Sequence, residues 1–419
     1  SRMKKIPHQL GVGTGDLGSL ERRLVMDVLK TGRLSYGPYS REFEETFAHL
    51  HGCNFGIFVN SGTSALRIAV AALKETEHWN DNDEIICPAV TFVASANVII
   101  MNGLRPVFVD VDPTTYNIDP SKIEERITPR TRAIMAVHLF GQPAQMDTIV
   151  AIARKHKLRI IEDSCETMFA RYKGKSVGSF GDISCFSSYI AHIIVTGVGG
   201  IACTNNRKLA VIMRSLANHG RDGIYMSMDD DQNLEHKRLV QVVSRRFNFI
   251  RPGYSFRATE MEAALGVAQL KRKDAIIAAR QRNALSLIKG LGDLSNDLQL
   301  PTWPPDVDHA FMVFPIVIRK RSSIRRKDLV MFLEDHNIET RGMLPLINQP
   351  MYRTLYGDLE SQYPVARWIN KNGFYIGCHQ NLGQSERDYI LRVFHTFFET
   401  RVKKSRASRI IDKSNAKMA

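Results

Sequence analysis

FGIFVNSGTSALRIAVAALKETEHWNDNDEIICPAVTFVASANVIIMNGLRPVFVDV, residues 55–111, alternates short apolar runs with stretches of helical periodicity. Strands are expected at 55–59, 84–87 and 106–111, with helices after the first and over 92–101. That alternation predicts an α/β fold built on a mainly parallel sheet covered on both faces. Working outward, a helix is expected at 121–127, where Asp119 and Pro120 supply an N-cap and a first turn. A strand at 132–137, a helix at 146–156 and a strand at 158–162 continue the pattern. It then changes to a polar hairpin at 171–178, strands at 182–187 and 200–204, and a helix at 206–219. Residues 221–251 form a long polar stretch with the acidic run Asp229, Asp230, Asp231 and the basic pairs Lys237-Arg238 and Arg245-Arg246. A stretch of that length reads as a lid or binding loop. After a helix at 260–273 comes a smaller α/β segment with a long helix, a strand at 312–318 and a helix at 327–336. The expected organisation is a large domain over 1–260, a smaller C-terminal domain over 261–400, and a basic, flexible tail over 401–419.

Of the 419 residues, 44% are hydrophobic and 24% charged, the balance of a folded globular protein rather than a disordered or fibrous one. The longest apolar stretch, 89–101, contains Thr91, Ser95 and Asn97 and falls short of the ~20 residues that cross a bilayer. The opening SRMKKIPHQL has charge but no apolar run, so no signal peptide and a cytoplasmic location are expected. Cysteines at 53, 87, 165, 185, 203 and 378 form no CxxC and no tight cluster, which excludes common zinc motifs and a disulfide scaffold. No metal site and no iron–sulfur cluster are expected. The net charge is +14, and residues 401–419 hold seven Lys/Arg against Asp412 alone. No nucleic-acid-binding signature accompanies that charge, so a solvated tail is expected and nucleic acid is not an expected partner.

Three constellations could carry chemistry. Asn60-Ser61-Gly62-Thr63-Ser64 sits between a strand and a helix, where free N–H groups and the positive helix end suit a phosphate; a plain N-cap turn reads equally well. Glu162-Asp163 falls at the carboxyl end of a strand, where open α/β sheets bind ligands. A carboxylate there could pair with a protonated heterocyclic nitrogen or simply cap a loop. Residues 179–206, SFGDISCFSSYIAHIIVTGVGGIACTNN, place serines, glycines and His192 between two strands. By itself His192 reads as a core histidine.

Taken in order, LSYGPYSREFEETFA, SGTSAL, CPAVTFVASAN, PVFVDVDPTTYNID, ITPRTRAIMAVHLFGQP, IIEDSCE, GSFGDISCFS, GVGG and GYSFRATEMEAALGVAQLKR resemble the DegT-type family of sugar aminotransferases, over roughly residues 33–400. The resemblance implies an aspartate-aminotransferase-like fold, with a seven-stranded sheet in the large domain, and pyridoxal 5′-phosphate (PLP) or pyridoxamine 5′-phosphate (PMP) as cofactor. It implies that Gly62 and Thr63 hold the cofactor phosphate with Ser187, and that Phe92 stacks on the pyridine ring. Asp163 would pair with the ring nitrogen and Glu166 would stand near the ring hydroxyl. Ser255 and Arg257 would reach a neighbouring subunit's phosphate, so a homodimer with composite sites is implied.

The family carries a Schiff-base lysine five residues after the phosphate serine and five before the first glycine of GxGG. Here both counts land on His192, and no lysine occurs from 177 to 206. An imidazole cannot form a Schiff base but can act as a base. This exchange resembles the sugar 3-dehydratase branch, of the GDP-4-keto-6-deoxymannose 3-dehydratase kind. The resemblance implies C3 deoxygenation of a nucleotide-linked 4-keto-6-deoxy sugar, with glutamate regenerating PMP. The alternatives are a sugar or cyclitol aminotransferase using a displaced lysine or having an engineered histidine, and a catalytically silent binding member. The basic residues of 237–246 are candidates for a nucleotide diphosphate, against a reading as plain surface charge.

Overall fold

The computed structural model describes residues 5–222, 235–245 and 247–418, with side chains as far as Arg401. Seven strands form the large sheet: β1 Phe55–Val59, β2 Glu84–Pro88, β3 Arg105–Val109, β4 Thr131–Val137, β5 Arg159–Asp163, β6 Ile183–Ser187 and β7 Gly200–Thr204. Their order is β1-β7-β6-β5-β4-β2-β3. Pairings among β2 to β6 are parallel, and β7 runs antiparallel to both β6 and β1. β2, β6 and β7 are buried along their whole length, which explains why they read as continuous apolar runs rather than alternations. Helix Gly62–Thr76 covers one face, burying Ala65, Leu66, Ile68, Ala69, Ala72 and Leu73.

Two carboxylates hold the layer outside β1. Glu260 accepts hydrogen bonds from the N–H groups of Gly37, Tyr39 and Ser40 at 2.9, 2.6 and 3.1 Å, so a distant side chain caps helix Pro38–Leu50. Glu44, also buried, receives Phe58 N–H at 2.8 Å, the Tyr36 hydroxyl at 2.6 Å and both Nη atoms of Arg214 at 3.2 and 3.0 Å. Removing one partner leaves the other charge buried alone. Glu44→Ala is therefore expected to cost about 3–5 kcal/mol of unfolding free energy, read by urea denaturation; a loss below about 1 kcal/mol would remove the pair from the stability account.

A smaller sheet comprises β8 Leu298–Gln299, β9 Phe314–Ile318, β10 Arg341–Gly342 and β11 Gly373–Ile376, in the order β8-β9-β11-β10. Phe314, Phe374, Phe394, Leu329 and Leu333 form its core. Leu10 joins that core, its N–H bonding to Asn337 O at 2.8 Å and its carbonyl accepting Glu339 N–H at 3.0 Å. The beginning of the chain thus packs with the smaller unit, although the sequence assigned it to the large one. In turn, helix Glu260–Lys271, started by a Thr259/Glu262 capping box, packs on helices Ser19–Thr31 and Pro38–Leu50 of the large unit.

Other expectations change. The helix expected at 121–127 is a pair of 3-10 turns, Pro120–Lys122 and Glu124–Arg126. The Asp119 carboxylate takes Ser121 N–H at 3.0 Å, and Pro129 biases Thr128 away from helix before two α-turns can form. The strand expected from 312 starts at Phe314, because Met312 commits its N–H to Phe140 O and its carbonyl to Arg280 rather than to a neighbouring strand. The long polar stretch contains a helix, His236–Ser244; its acidic run and Arg246 lie outside the described residues. The basic segment continues the last helix, Gln384–Met418.

Candidate active site

The carboxyl ends of β1, β4, β5 and β6 open on one side of the large sheet into a cleft of about 720 Å³. Open α/β sheets bind ligands at this end. Asp163, the last residue of β5, is buried at the cleft wall. Its Oδ2 accepts the Ser95 hydroxyl at 2.6 Å and its Oδ1 accepts Cys165 N–H at 3.2 Å. Glu162, weighed beside it from the sequence, does structural work instead. Its carboxylate accepts Gly178, Phe180 and Gly181 N–H groups, each at 2.7 Å, and pairs with His138 Nε2 at 3.0 Å.

After β1, the chain turns directly into helix Gly62–Thr76. Ser61 caps it, accepting Ser64 N–H at 3.0 Å, and the Ser64 hydroxyl bonds Asn60 Oδ1 at 2.7 Å. Among the described residues, no hydrogen bond occupies the N–H of Gly62 or Thr63, which stand at the positive helix end. A Cβ at Gly62 would lie 2.7 Å from Ser187 Cβ and 2.8 Å from Cys165 Sγ, so only glycine leaves the cleft floor open there. Two free N–H groups, the Ser187 hydroxyl and a glycine-lined floor match the needs of a bound phosphate ester. Phe92, 56% exposed, stands at the same cleft just before helix Val93–Met101.

His192 follows β6 in a loop closed by Ser188 N–H to Gly199 O at 3.0 Å and Thr196 N–H to Ser188 O at 2.8 Å. Its Nδ1 lies 3.1 Å from the Ser187 carbonyl oxygen, which can only accept. Nδ1 therefore carries the hydrogen, and the lone pair of Nε2 is left for the cleft. Burial lowers the imidazole pKa to about 4, with the Ser187 bond opposing and the Arg280 cation adding to the shift. At neutral pH the ring is an uncharged base. Across the cleft, burial raises the Glu166 pKa to about 8; Phe140 N–H, bound at 3.1 Å, opposes this and the Asp163 charge adds to it. Glu166 is therefore a neutral, proton-donating carboxyl at pH 7.

Gly62, Thr63, Phe92, Asp163, Glu166, Ser187 and His192 all line this one cleft. Ser255 and Arg257 do not. They lie beyond the outer edge of β1, with Arg257 Nη2 3.3 Å from Ser255 Oγ and 3.4 Å from His219 Nε2. Lys237, Arg238 and Arg245 are likewise absent from the lining. Sequence reasoning missed a whole wall: residues 12–15 and, from the smaller unit, Glu339, Arg341 and Tyr375. The wall is stitched by Val12 N–H to Glu339 Oε2 at 2.8 Å, and a Cβ at Gly13 would sit 2.5 Å from Ala191 Cα. None of these residues belongs to a motif; only the glycine-rich run GVGTG hinted at such close packing.

The model of the DegT/DnrJ/EryC1/StrS aminotransferase family matches residues 16–395. The chain belongs to this family. It is an enzyme of the aminotransferase fold, as the mostly parallel seven-stranded sheet also shows. Among DegT/DnrJ/EryC1/StrS relatives, the chain is 34% identical to GDP-perosamine synthase of Caulobacter vibrioides, over 93% of this chain and 98% of that protein. It is 31% identical to GDP-4-keto-6-deoxy-D-mannose 3-dehydratase of Escherichia coli O55:H7, over 93% of this chain and 99% of that one. The solved structure of the E. coli dehydratase with bound hydrated PLP is similar with a TM-score of 0.81, at 28% identity, over 93% of this chain and all of that chain. Among the described residues, no helix is long and apolar enough to cross a membrane, and no group of three or more His, Cys, Asp or Glu could hold a metal ion.

Proposed function

We propose that this chain is a PLP/PMP-dependent 3-dehydratase of a nucleotide-linked 4-keto-6-deoxy sugar, with His192 as its base. The observation that carries the reading is that no lysine lines the cleft among the described residues, while His192 presents an unoccupied Nε2 to it. Gly62 and Thr63 would hold the cofactor phosphate through their N–H groups and Ser187 through its hydroxyl. Asp163, fixed by Ser95, would keep the pyridine nitrogen protonated; Phe92 would cover the ring and Glu166 would donate to its phenolic oxygen. When bound as PMP, the cofactor supplies an amine and an electron sink, which makes loss of the sugar's C3 hydroxyl accessible. His192 accepts a proton at Nε2 from the reacting carbon, and its Nδ1–H bond to Ser187 keeps the ring oriented and stabilises the charged form. Without a lysine amine in the cleft, the base does not itself become covalently attached.

Ser255 and Arg257, set outside their own cleft, suit the reading of a homodimer in which each copy completes the other's phosphate site. Glutamate is the proposed amino donor, and the cytoplasm the proposed location. The 34% identity to a GDP-perosamine synthase favours a second reading, transamination of the same class of sugar.

The test is to load the protein with PLP, treat with borohydride and weigh the intact chain, then repeat with glutamate. No stable mass gain, together with conversion of bound PLP to PMP by glutamate and a released 3-deoxy keto sugar lighter than the substrate by one oxygen atom, with ammonia released, is the expected result. A reduced adduct on a lysine would overturn dehydration in favour of transamination.

A further inference from the structure

Arg280, on helix Lys273–Gly290, is fully buried. Among the described residues its guanidinium meets no carboxylate. Nη2 donates to the His192 carbonyl at 3.0 Å, Nη1 donates to Met312 O at 2.8 Å and Phe311 O at 3.3 Å, and Nε has no partner. Burying an unpaired cation is costly, and an apolar side chain of the same volume would fill the space without that cost. The position therefore uses what an arginine alone offers, several donors in one fixed plane.

What those donors join is specific. His192 lies in the loop after β6, whereas Phe311 and Met312 lead into β9 of the smaller unit. Met312 N–H bonds Phe140 O at 3.2 Å, and Phe140 N–H bonds Glu166. A hydrogen-bonded path thus runs from one cleft residue, Glu166, through the junction of the two units to another, His192. We propose that Arg280 is a positioning residue for His192: it fixes the histidine backbone through its carbonyl and ties the setting of the imidazole to the junction between the units. The proposal rests on His192 as the base.

The charge of Arg280 also acts on the ring, lowering its proton affinity alongside burial. The other ionisable groups facing the same space are Tyr189, edge-on to the ring, the carboxyls Asp163 and Glu166 and the Cys165 thiol across the cleft, and Glu339, Arg341 and Tyr375 of the smaller unit. They remain in place when Arg280 is changed.

The experiment titrates His192 by NMR in the full chain labelled at histidine, with His192→Asn identifying the resonance, and measures kcat and KM in parallel. Arg280→Met is expected to raise the His192 midpoint and to lower kcat by roughly tenfold or more, with KM unchanged. Arg280→Lys is expected to keep the low midpoint but recover only part of kcat, since one ammonium cannot span three carbonyls. A folded Arg280→Met with unchanged midpoint and kcat overturns the proposal. If Arg280→Met does not fold, Arg280→Lys decides, and wild-type kcat there overturns it. In a His192→Asn background, Arg280→Lys is expected to add no further loss; additive losses mean that Arg280 does not act through His192. Full turnover by His192→Asn alone defeats the base assignment instead, and the NMR midpoint then decides the fate of Arg280.

Discussion

His192→Asn is expected to lower turnover of the 4-keto sugar by roughly 10²- to 10⁴-fold, the usual contribution of a positioned general base, while PMP still binds. The asparagine amide can still donate to the Ser187 carbonyl, so the loop closed by Ser188, Thr196 and Gly199 is retained. What disappears is the lone pair of Nε2. The wild-type pH profile should carry the mark of the same group. With a pKa near 4 the ring is a free base throughout the neutral range, so kcat/KM should show no imidazole limb between pH 6 and 8, and its acid limb should appear only as the pH drops towards about 4. An imidazole-dependent limb near pH 6.5 would place His192 in water rather than in a buried setting. Equal turnover by wild type and variant would remove the residue from the chemistry.

Asp163→Asn is the second large effect. The carboxylate is buried, held by Ser95 and the Cys165 N–H, and on the proposed reading it would face a cationic ring. An amide fills the same volume but carries no charge, so a protonated pyridine nitrogen opposite it would lose its counter-ion. Loss of one partner from a buried ion pair costs about 3–5 kcal/mol, which converts to roughly 10²- to 10³-fold weaker cofactor binding or more. Equilibrium dialysis against PMP measures this directly. The spectrum of whatever cofactor still binds should move towards the unprotonated ring, and turnover should fall even at saturating cofactor. Unchanged affinity would mean that Asp163 serves Ser95, whose hydroxyl also lies 2.7 Å from that of Thr91, and that the ring nitrogen is met elsewhere.

Much of this arrangement was legible in the chain because it is local. The SGTSAL turn, the aspartate ending β5 and the serine ending β6 each sit where a strand meets the following segment, so short-range pattern alone places them at the carboxyl edge of the sheet. His192 was legible only through the family resemblance, which implies a lysine five residues after Ser187 and five before Gly197; by itself it read as a core histidine. Glu162 illustrates the opposite. Beside Asp163 it looks equally available, yet alternation along β5 sends it to the other face, where three N–H groups and His138 take up its carboxylate. Arg280, Glu339, Arg341 and residues 12–15 were illegible for a different reason. Their roles arise from contacts between segments far apart in sequence, and no local period or motif encodes such a meeting. The 121–127 segment failed at the level of length, because its caps were correct but its run was too short.

The stitching of Val12 to Glu339 spans 327 positions, and that of Asn337 to Ile6 spans 331. On the ribosome, residues 6–15 emerge well before their partners at 337–339 and around Gly377. A Cβ at Gly377 would lie 2.1 Å from the Gly11 carbonyl oxygen, so this contact tolerates no looseness once formed. The large sheet can assemble from neighbouring strand–helix units as synthesis proceeds, whereas this wall waits for residues 337–377 and closes a very long loop. Nascent chains stalled near residue 300 should therefore contain a folded sheet with its cleft open along one side, and residues 6–15 free to engage a chaperone until residues 337–377 follow.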